Sequence, residues 1–365
     1  MKYKVLYIDD EVNSGREQIE TIKDALEVTG LLDVEIYQVD ELQVIIEKIK
    51  KEDFEAVILD LELDSAANSR GEIVTYKAPT LAQNIREQSA EHNKLDIPII
   101  LCSTNDKIKK SYKKDLSSHD LFDMRFDKGL RDYHEVTKEI SSLIQGYKII
   151  NKKHLKFHEL LETPEEEIDS RIYSSLLLTE SLPAYNIAQL IVKELIFING
   201  PLIPEELLAV RLGIDVEKSA GWNELKEKFS AARYTGIFSS GWNRWWMHKV
   251  LSIFREITGK NLVSLDAVEK VELIKSKTGI SEIKHPERIE MCQSYNFWTL
   301  CKGYHKPLDP REGFKIIMAR EPKVWQDYDY ISLHAVLERE GFEERGIHPH
   351  PSEIKRIELI KETME

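Results

Sequence analysis

The chain has 365 residues, 42% of them hydrophobic, with 51 Lys plus Arg against 64 Asp plus Glu, a formal net charge of −13. That length exceeds what one ordinary domain needs and predicts two or three. Residues 1–150 carry 21 basic and 30 acidic side chains, net −9, which leaves 30 and 34, net −4, for residues 151–365; neither half has the overall charge of a typical nucleic-acid binder.

The N-terminal half alternates apolar runs with helical patterns. Residues 4–8 (KVLYI) predict a first strand, and residues 15–29 place Ile19, Ile22 and Leu26 at helical spacing. Residues 34–39 predict a second strand, and residues 40–50 a helix with Asp40 at its N-cap. Residues 56–61 (AVILDL) and 97–102 (IPIILC) predict two buried strands, and residues 122–126 a weaker one. Residues 132–145 close the pattern with a helix on Val136, Ile140 and Leu143. Near-continuous apolar strands alternating with helices predict an α/β domain, a doubly wound five-stranded parallel sheet covered on both faces. Residues 62–96 form a longer connection than a crossover needs. Only residues 80–90 of it read as a helix, with Thr80 as cap. The polar part before that helix would stand on the rim as a lid, a docking loop or a disordered excursion.

The charged residues fall where such a sheet concentrates chemistry. Asp9 and Asp10 end the first strand, Asp60 lies near the end of the third, Ser103 follows the fourth and Lys128 follows the fifth. Side chains at the carboxyl ends of parallel strands converge on one crevice. Three carboxylates there repel one another unless a hard cation lies between them. Mg²⁺ prefers oxygen ligands and keeps several waters. A carboxylate beside it can attack phosphorus and become an acyl phosphate, while a lysine and a hydroxyl hold the equatorial oxygens.

The pieces KVLYIDDE, AVILDLEL, IPIILCST and FDKG resemble the receiver domain of two-component response regulators, over roughly residues 1–146. The resemblance implies Asp60 as phosphoacceptor, Asp10 as a direct Mg²⁺ ligand, Asp9 acting mainly through a metal-bound water, and the backbone carbonyl of Glu62 as a further ligand. It implies Ser103 as the switch hydroxyl and Lys128 as the active-site lysine. Three positions depart from the family pattern. Gly129 stands where a proline usually follows the lysine, Arg125 where an aromatic switch is common, and Thr104 where a small residue is usual. The lysine loop must therefore be ordered by other means.

The second half reads as mainly helical from about residue 164, with Pro164 at one helix start. Residues 184–198 form an apolar-rich helix stopped by Asn199-Gly200-Pro201, and Pro204 opens a shorter helix closed by Gly213. Helix, turn, helix invites a DNA-binding reading, but the second helix has Arg211 as its one basic residue and two glutamates where phosphates would approach. Trp242, Trp245 and Trp246, beside Arg244, His248 and Lys249, suit base stacking, an interface or a core anchor. Cys102, Cys292 and Cys301 include no C-x-x-C pair. Cys301 with His305, and the His-Pro-His stretch at 348–350, lack a second pair to complete a metal site. No Gly-rich nucleotide loop, nucleophile elbow or kinase signature is present.

The expected organisation is a receiver domain over residues 1–148, with an extended loop after strand three. Residues 149–365 would form a largely helical output or protein-interaction domain. The expected function is acceptance of a phosphoryl group on Asp60 from a histidine kinase or phosphotransfer protein, with relay or buffering of the signal to a downstream protein. A DNA-binding transcriptional regulator and an effector enzyme under receiver control are the alternatives, and homodimerisation is left open. The N-terminus turns acidic at its ninth residue, where a targeting segment would stay apolar, and no run spans a membrane, so a cytoplasmic location is expected.

Overall fold

The apolar runs of the N-terminal half pair into one sheet. In the computed structural model, which describes residues 2–12, 15–65, 67–68, 70–89, 93–104, 120–130, 132–152, 155–174, 182–338 and 345–364, these runs become β1 (Tyr3–Asp9), β2 (Leu32–Gln38), β3 (Ala56–Asp60), β4 (Ile99–Ser103) and β5 (Met124–Asp127). All neighbouring pairs are parallel, in the order β2-β1-β3-β4-β5. This is the expected doubly wound sheet. β3 and β4 are buried over their whole length, because helices cover both faces. Helix α1 (Arg16–Glu27) buries Ile19, Ile22 and Leu26, and α2 (Leu42–Glu52) buries Ile45, Ile46 and Ile49. Helix α3 (Ala78–Ser89) buries Leu81, Ala82 and Ile85, and α4 (His134–Lys152) buries Val136, Ile140 and Leu143. Strand order reverses at β1, between β2 and β3, so a crevice opens at the carboxyl ends of β1 and β3.

Two expected caps are not caps. Helix α2 starts at Leu42 with Glu41 at the N-cap position and no side-chain cap. Thr80 lies inside the first turn of α3. Asp40 instead anchors the long connection after β3, because its Oδ1 accepts from Arg70 Nη2 at 2.8 Å as well as from the Glu41 amide at 2.8 Å. Tyr76 donates its hydroxyl to the Asp40 carbonyl. Residues 67 and 73 form an antiparallel bridge. The turn between them is held by Asn68 Oδ1, which accepts from the Arg70 and Glu72 amides at 2.9 Å each. Gly71 takes the left-handed conformation (φ +78°) that such a turn needs. Ahead of α3, the described residues of this connection thus include a short hairpin anchored on Asp40.

By internal contacts the chain divides into two compact units, Met1–Phe197 with Thr235–Trp242, and Ile198–Tyr234 with Asn243–Glu365. Position 148 falls inside the continuous helix α4, and residues beyond it pack within the first unit. The helix Ala184–Gln189, continued by the π-helical turn Leu190–Ile196, lies against α4. Asp96 supplies its N-terminal cap, accepting from the Ala184 amide at 2.6 Å and the Tyr185 amide at 3.1 Å. Beside it Arg86 pairs with Asp123 at 2.7 Å, Asp123 accepts the Tyr147 hydroxyl at 2.7 Å, and the Arg86 guanidinium lies 4.1 Å from the Tyr185 ring centre. The segment 235–242 seats Phe238 on Gly146 so closely that a Cβ there would come 2.1 Å from the ring. Ser240 Oγ also meets Ser142 Oγ at 2.9 Å.

The second unit is largely helical, with helices Glu205–Leu212, Trp222–Glu227, Met247–Thr258 and Ala267–Thr278 around Leu208, Trp245, Val250, Phe254 and Phe297. Three short antiparallel pairs accompany them: Leu202–Ile203 with Trp245–Trp246, Thr299–Leu300 with Pro307–Leu308, and Gly313–Lys315 with Tyr330–Ser332. Trp245 and Trp246 are buried, as core anchors are. Arg211 is buried too, its guanidinium 4.5 Å from the Trp298 ring centre and paired with Asp327. The one basic side chain of the second helix in the helix-turn-helix reading is therefore turned away from any phosphate. Among the described residues no helix is long and apolar enough to cross a membrane.

Candidate active site

The rim of the first unit gathers the predicted residues. Asp9, Asp10 and Asp60 are 0%, 2% and 2% exposed, and Ser103 is fully buried. Buried carboxylates in this number require a compensating charge, and Lys128 supplies it. Its Nζ lies 2.7 Å from Asp9 Oδ2 and 2.7 Å from Asp60 Oδ1. Burial alone would push the ammonium's pKa down, but Asp60 and Asp9 outweigh it and hold the value above that of an ordinary lysine.

Each carboxylate is also oriented by backbone amides. Asp9 Oδ1 accepts from Glu11 N at 2.9 Å, Asp60 Oδ2 from Glu62 N at 3.1 Å, and Asp10 Oδ2 from Ser65 N at 2.7 Å. Gln38 donates to the Asp10 carbonyl at 2.7 Å and to the Ala67 carbonyl at 3.2 Å, which ties the hairpin after β3 to the end of β1. The Ser103 hydroxyl is buried with no hydrogen-bond partner among the described residues. Such a group is destabilising by about 1–3 kcal/mol unless an incoming acceptor satisfies it. Arg125 is exposed on β5, and Thr104 is half-buried beside Ser103.

The lysine loop is ordered without a proline. Lys128 N donates to the Ser103 carbonyl at 3.1 Å, and Gly129 N donates to Asp127 Oδ1 at 2.9 Å, an Asx turn. The Tyr133 hydroxyl donates to the Lys128 carbonyl at 3.0 Å. Tyr133 was not among the candidate residues, nor was Tyr7, whose hydroxyl donates to Asp9 Oδ2 at 3.0 Å and lies 3.9 Å from Cys102 Sγ. Burial, then the neighbouring Cys102, Asp9 and Asp60, push the Tyr7 pKa well up. Burial, with Cys102 and Asp127, pushes that of Tyr133 up to about 12. Tyr7 had a signal in the sequence: it lies two residues before Asp9 on a strand, hence on the same face.

The donor set at the rim is made of hard oxygens, as Mg²⁺ requires. Among the described residues no group of three or more His, Cys, Asp or Glu is arranged to hold a metal ion. An ion bound through one or two carboxylates would complete its shell with the Glu62 carbonyl and water. The unsatisfied Ser103 hydroxyl fits an anionic ligand beside that ion. Elsewhere, Cys301 is buried with its Sγ 3.5 Å from Ser332 Oγ. His350 takes the Ser352 hydroxyl at 2.7 Å and caps the turn Pro351–Glu353. These residues serve local structure.

No family model and no curated protein matches the sequence. The first unit is similar in structure to receiver domains. That of a sensor histidine kinase from Pseudomonas aeruginosa PAO1, solved with magnesium in its active-site cleft, is 14% identical, with 40% of this chain and 99% of that chain covered and a TM-score of 0.29. A two-component response regulator from Clostridium difficile is 18% identical, with 40% and 97% covered and a TM-score of 0.26. A response regulator from Thermotoga maritima, in complex with Mg²⁺ and BeF, is 23% identical, with 39% and 99% covered and a TM-score of 0.27. The receiver-like architecture of this chain is read from its own strand order and rim.

Proposed function

We propose that this chain is a response-regulator-like protein that accepts a phosphoryl group on Asp60 from a phosphohistidine of a histidine kinase or phosphotransfer protein in the cytoplasm. It would relay or store that group through its second unit, to a protein partner. The observation that carries the reading is the Lys128 ammonium set on Asp9 and Asp60, with a buried Ser103 hydroxyl at the end of the neighbouring strand that has no partner among the described residues. A carboxylate oxygen of Asp60 forms an O–P bond as the donor's P–N bond breaks, and the imidazole leaves with the electron pair and is protonated. Lys128 offsets the charge that gathers on the phosphoryl oxygens, and the Ser103 hydroxyl donates to one of them. Mg²⁺ held by Asp10, Asp60 and the Glu62 carbonyl, with Asp9 reaching it through water, would neutralise further charge there. The new charge at the rim is a local change that a neighbouring surface can read.

Intact-mass analysis with Mg²⁺ and acetyl phosphate tests this. Wild type is expected to gain a single phosphoryl group and Asp60→Asn none. No adduct on wild type, or equal adducts on both proteins, would count against the proposal.

A further inference from the structure

Lys128 sits on a flexible four-carbon stem, in a loop that continues into Gly129. An ammonium that must meet a phosphoryl group needs its position fixed beforehand, since reorganisation during transfer subtracts from the electrostatic gain. Two tyrosine hydroxyls bear on that position, one at the main chain and one at the counterion. Tyr133 donates to the Lys128 carbonyl at 3.0 Å and so holds the main chain of the loop. Its ring is set edge-on against Phe126, centres 5.7 Å apart, which fixes the hydroxyl in turn. Tyr7 donates at 3.0 Å to Asp9 Oδ2, the same oxygen that takes the Lys128 ammonium at 2.7 Å. Tyr7 is fully buried within β1 and Tyr133 is 5% exposed, so water is excluded from the Tyr7 bond and has limited access to that of Tyr133.

We infer that Tyr7 and Tyr133 are positioning residues for Lys128, one fixing the lysine's counterion and the other its backbone. Both act through the lysine: Tyr7 by way of Asp9 and Tyr133 by way of the Lys128 carbonyl. The inference rests on the proposed phosphoacceptor role of Asp60 and assigns to that role two residues outside the acidic rim.

The test uses the full chain as wild type, Tyr7→Phe, Tyr133→Phe and a control, Tyr3→Phe, whose ring lies under Lys148. Adduct formation is followed by intact mass against acetyl phosphate and Mg²⁺ concentration. Loss of one hydrogen bond of ordinary strength corresponds to about five-fold. Each of the two variants is expected to lower the limiting rate by about that factor and leave the half-saturating Mg²⁺ concentration within about two-fold. The control should match wild type. Affinity for magnesium–beryllofluoride should fall in parallel, and it can be read below the melting point of any variant that folds less stably. If Tyr7 acts through Asp9, Tyr7→Phe should change beryllofluoride affinity no further in an Asp9→Asn background. Unchanged rates and affinities in both Phe variants, with wild type phosphorylated, would overturn the inference alone. So would a Tyr7→Phe loss that persists in full in the Asp9→Asn background. No adduct on wild type would remove the phosphoacceptor reading and this inference with it.

Discussion

Lys128 has a structural task as well as the proposed chemical one. Two buried carboxylates share its ammonium, and removing one partner of a buried pair leaves uncompensated charge. Lys128→Met is therefore expected to destabilise the first unit by about 3 kcal/mol, read by urea unfolding, with part recovered on adding Mg²⁺. Because the folded-state pKa of Lys128 is raised, the stability it contributes is fully present below the unfolded value near ~10.4. It is lost only as pH climbs through the folded value, so the difference between the two proteins should be flat across neutral pH. Five of the rim residues are legible from sequence, because Asp9, Asp10, Asp60, Ser103 and Lys128 all fall at the ends of recognisable apolar strands. Tyr7 and Tyr133 are not legible in the same way. Tyr7 stands in an apolar run and reads as core although it shares a face with Asp9, Tyr133 stands in a polar stretch and reads as surface, and the partner of each hydroxyl is fixed by packing that periodicity does not report.

At the scale of elements, the strands are legible and their edges less so, since partner register rather than composition decides where β2 and β4 begin. Caps are the least legible feature. Asp40 and Thr80 have the right chemistry at the right place, yet Asp40 is taken by Arg70 and the hairpin, while the cap of the helix Ala184–Gln189 comes from Asp96, 88 residues away. Burial raises the Asp96 pKa against the amide bonds that lower it, so at neutral pH the charged form is held at a cost that lessens as pH falls through the raised value. Asp96→Ala should lose about 1–2 kcal/mol. Asp96→Asn, which keeps an acceptor oxygen and discards the buried charge, should lose less. Urea unfolding with hydrogen exchange at residues 184–187 measures both, and a larger loss for Asn than for Ala would contradict the capping role.

For the whole molecule, the position of the boundary matters most. A division at residue 148 follows from the receiver-like pattern, which ends there, but the packing continues. Tyr147, Arg86 and Asp123 form a buried network covered in part by Tyr185 and Gln189. A chain cut at residue 148 would expose that network and shorten α4. It should melt at a lower temperature than a chain cut at residue 197, by several degrees; equal melting temperatures would support a boundary at 148. The second unit shows why its part of the sequence assigns no function. Trp245, Trp246 and the helix-borne Arg211, which most invite a binding role there, are buried in its own core.

Formation of an acyl phosphate on Asp60 is open to reductive trapping. Borohydride converts an aspartyl phosphate to homoserine, so peptide mapping after treatment with Mg²⁺, acetyl phosphate and borohydride identifies the acceptor carboxyl by position. The account predicts homoserine at position 60 alone, absent when the phosphodonor is left out. Unmodified Asp60 in a protein that carries the phosphoryl mass, or homoserine at position 9 or 10 instead, would contradict it.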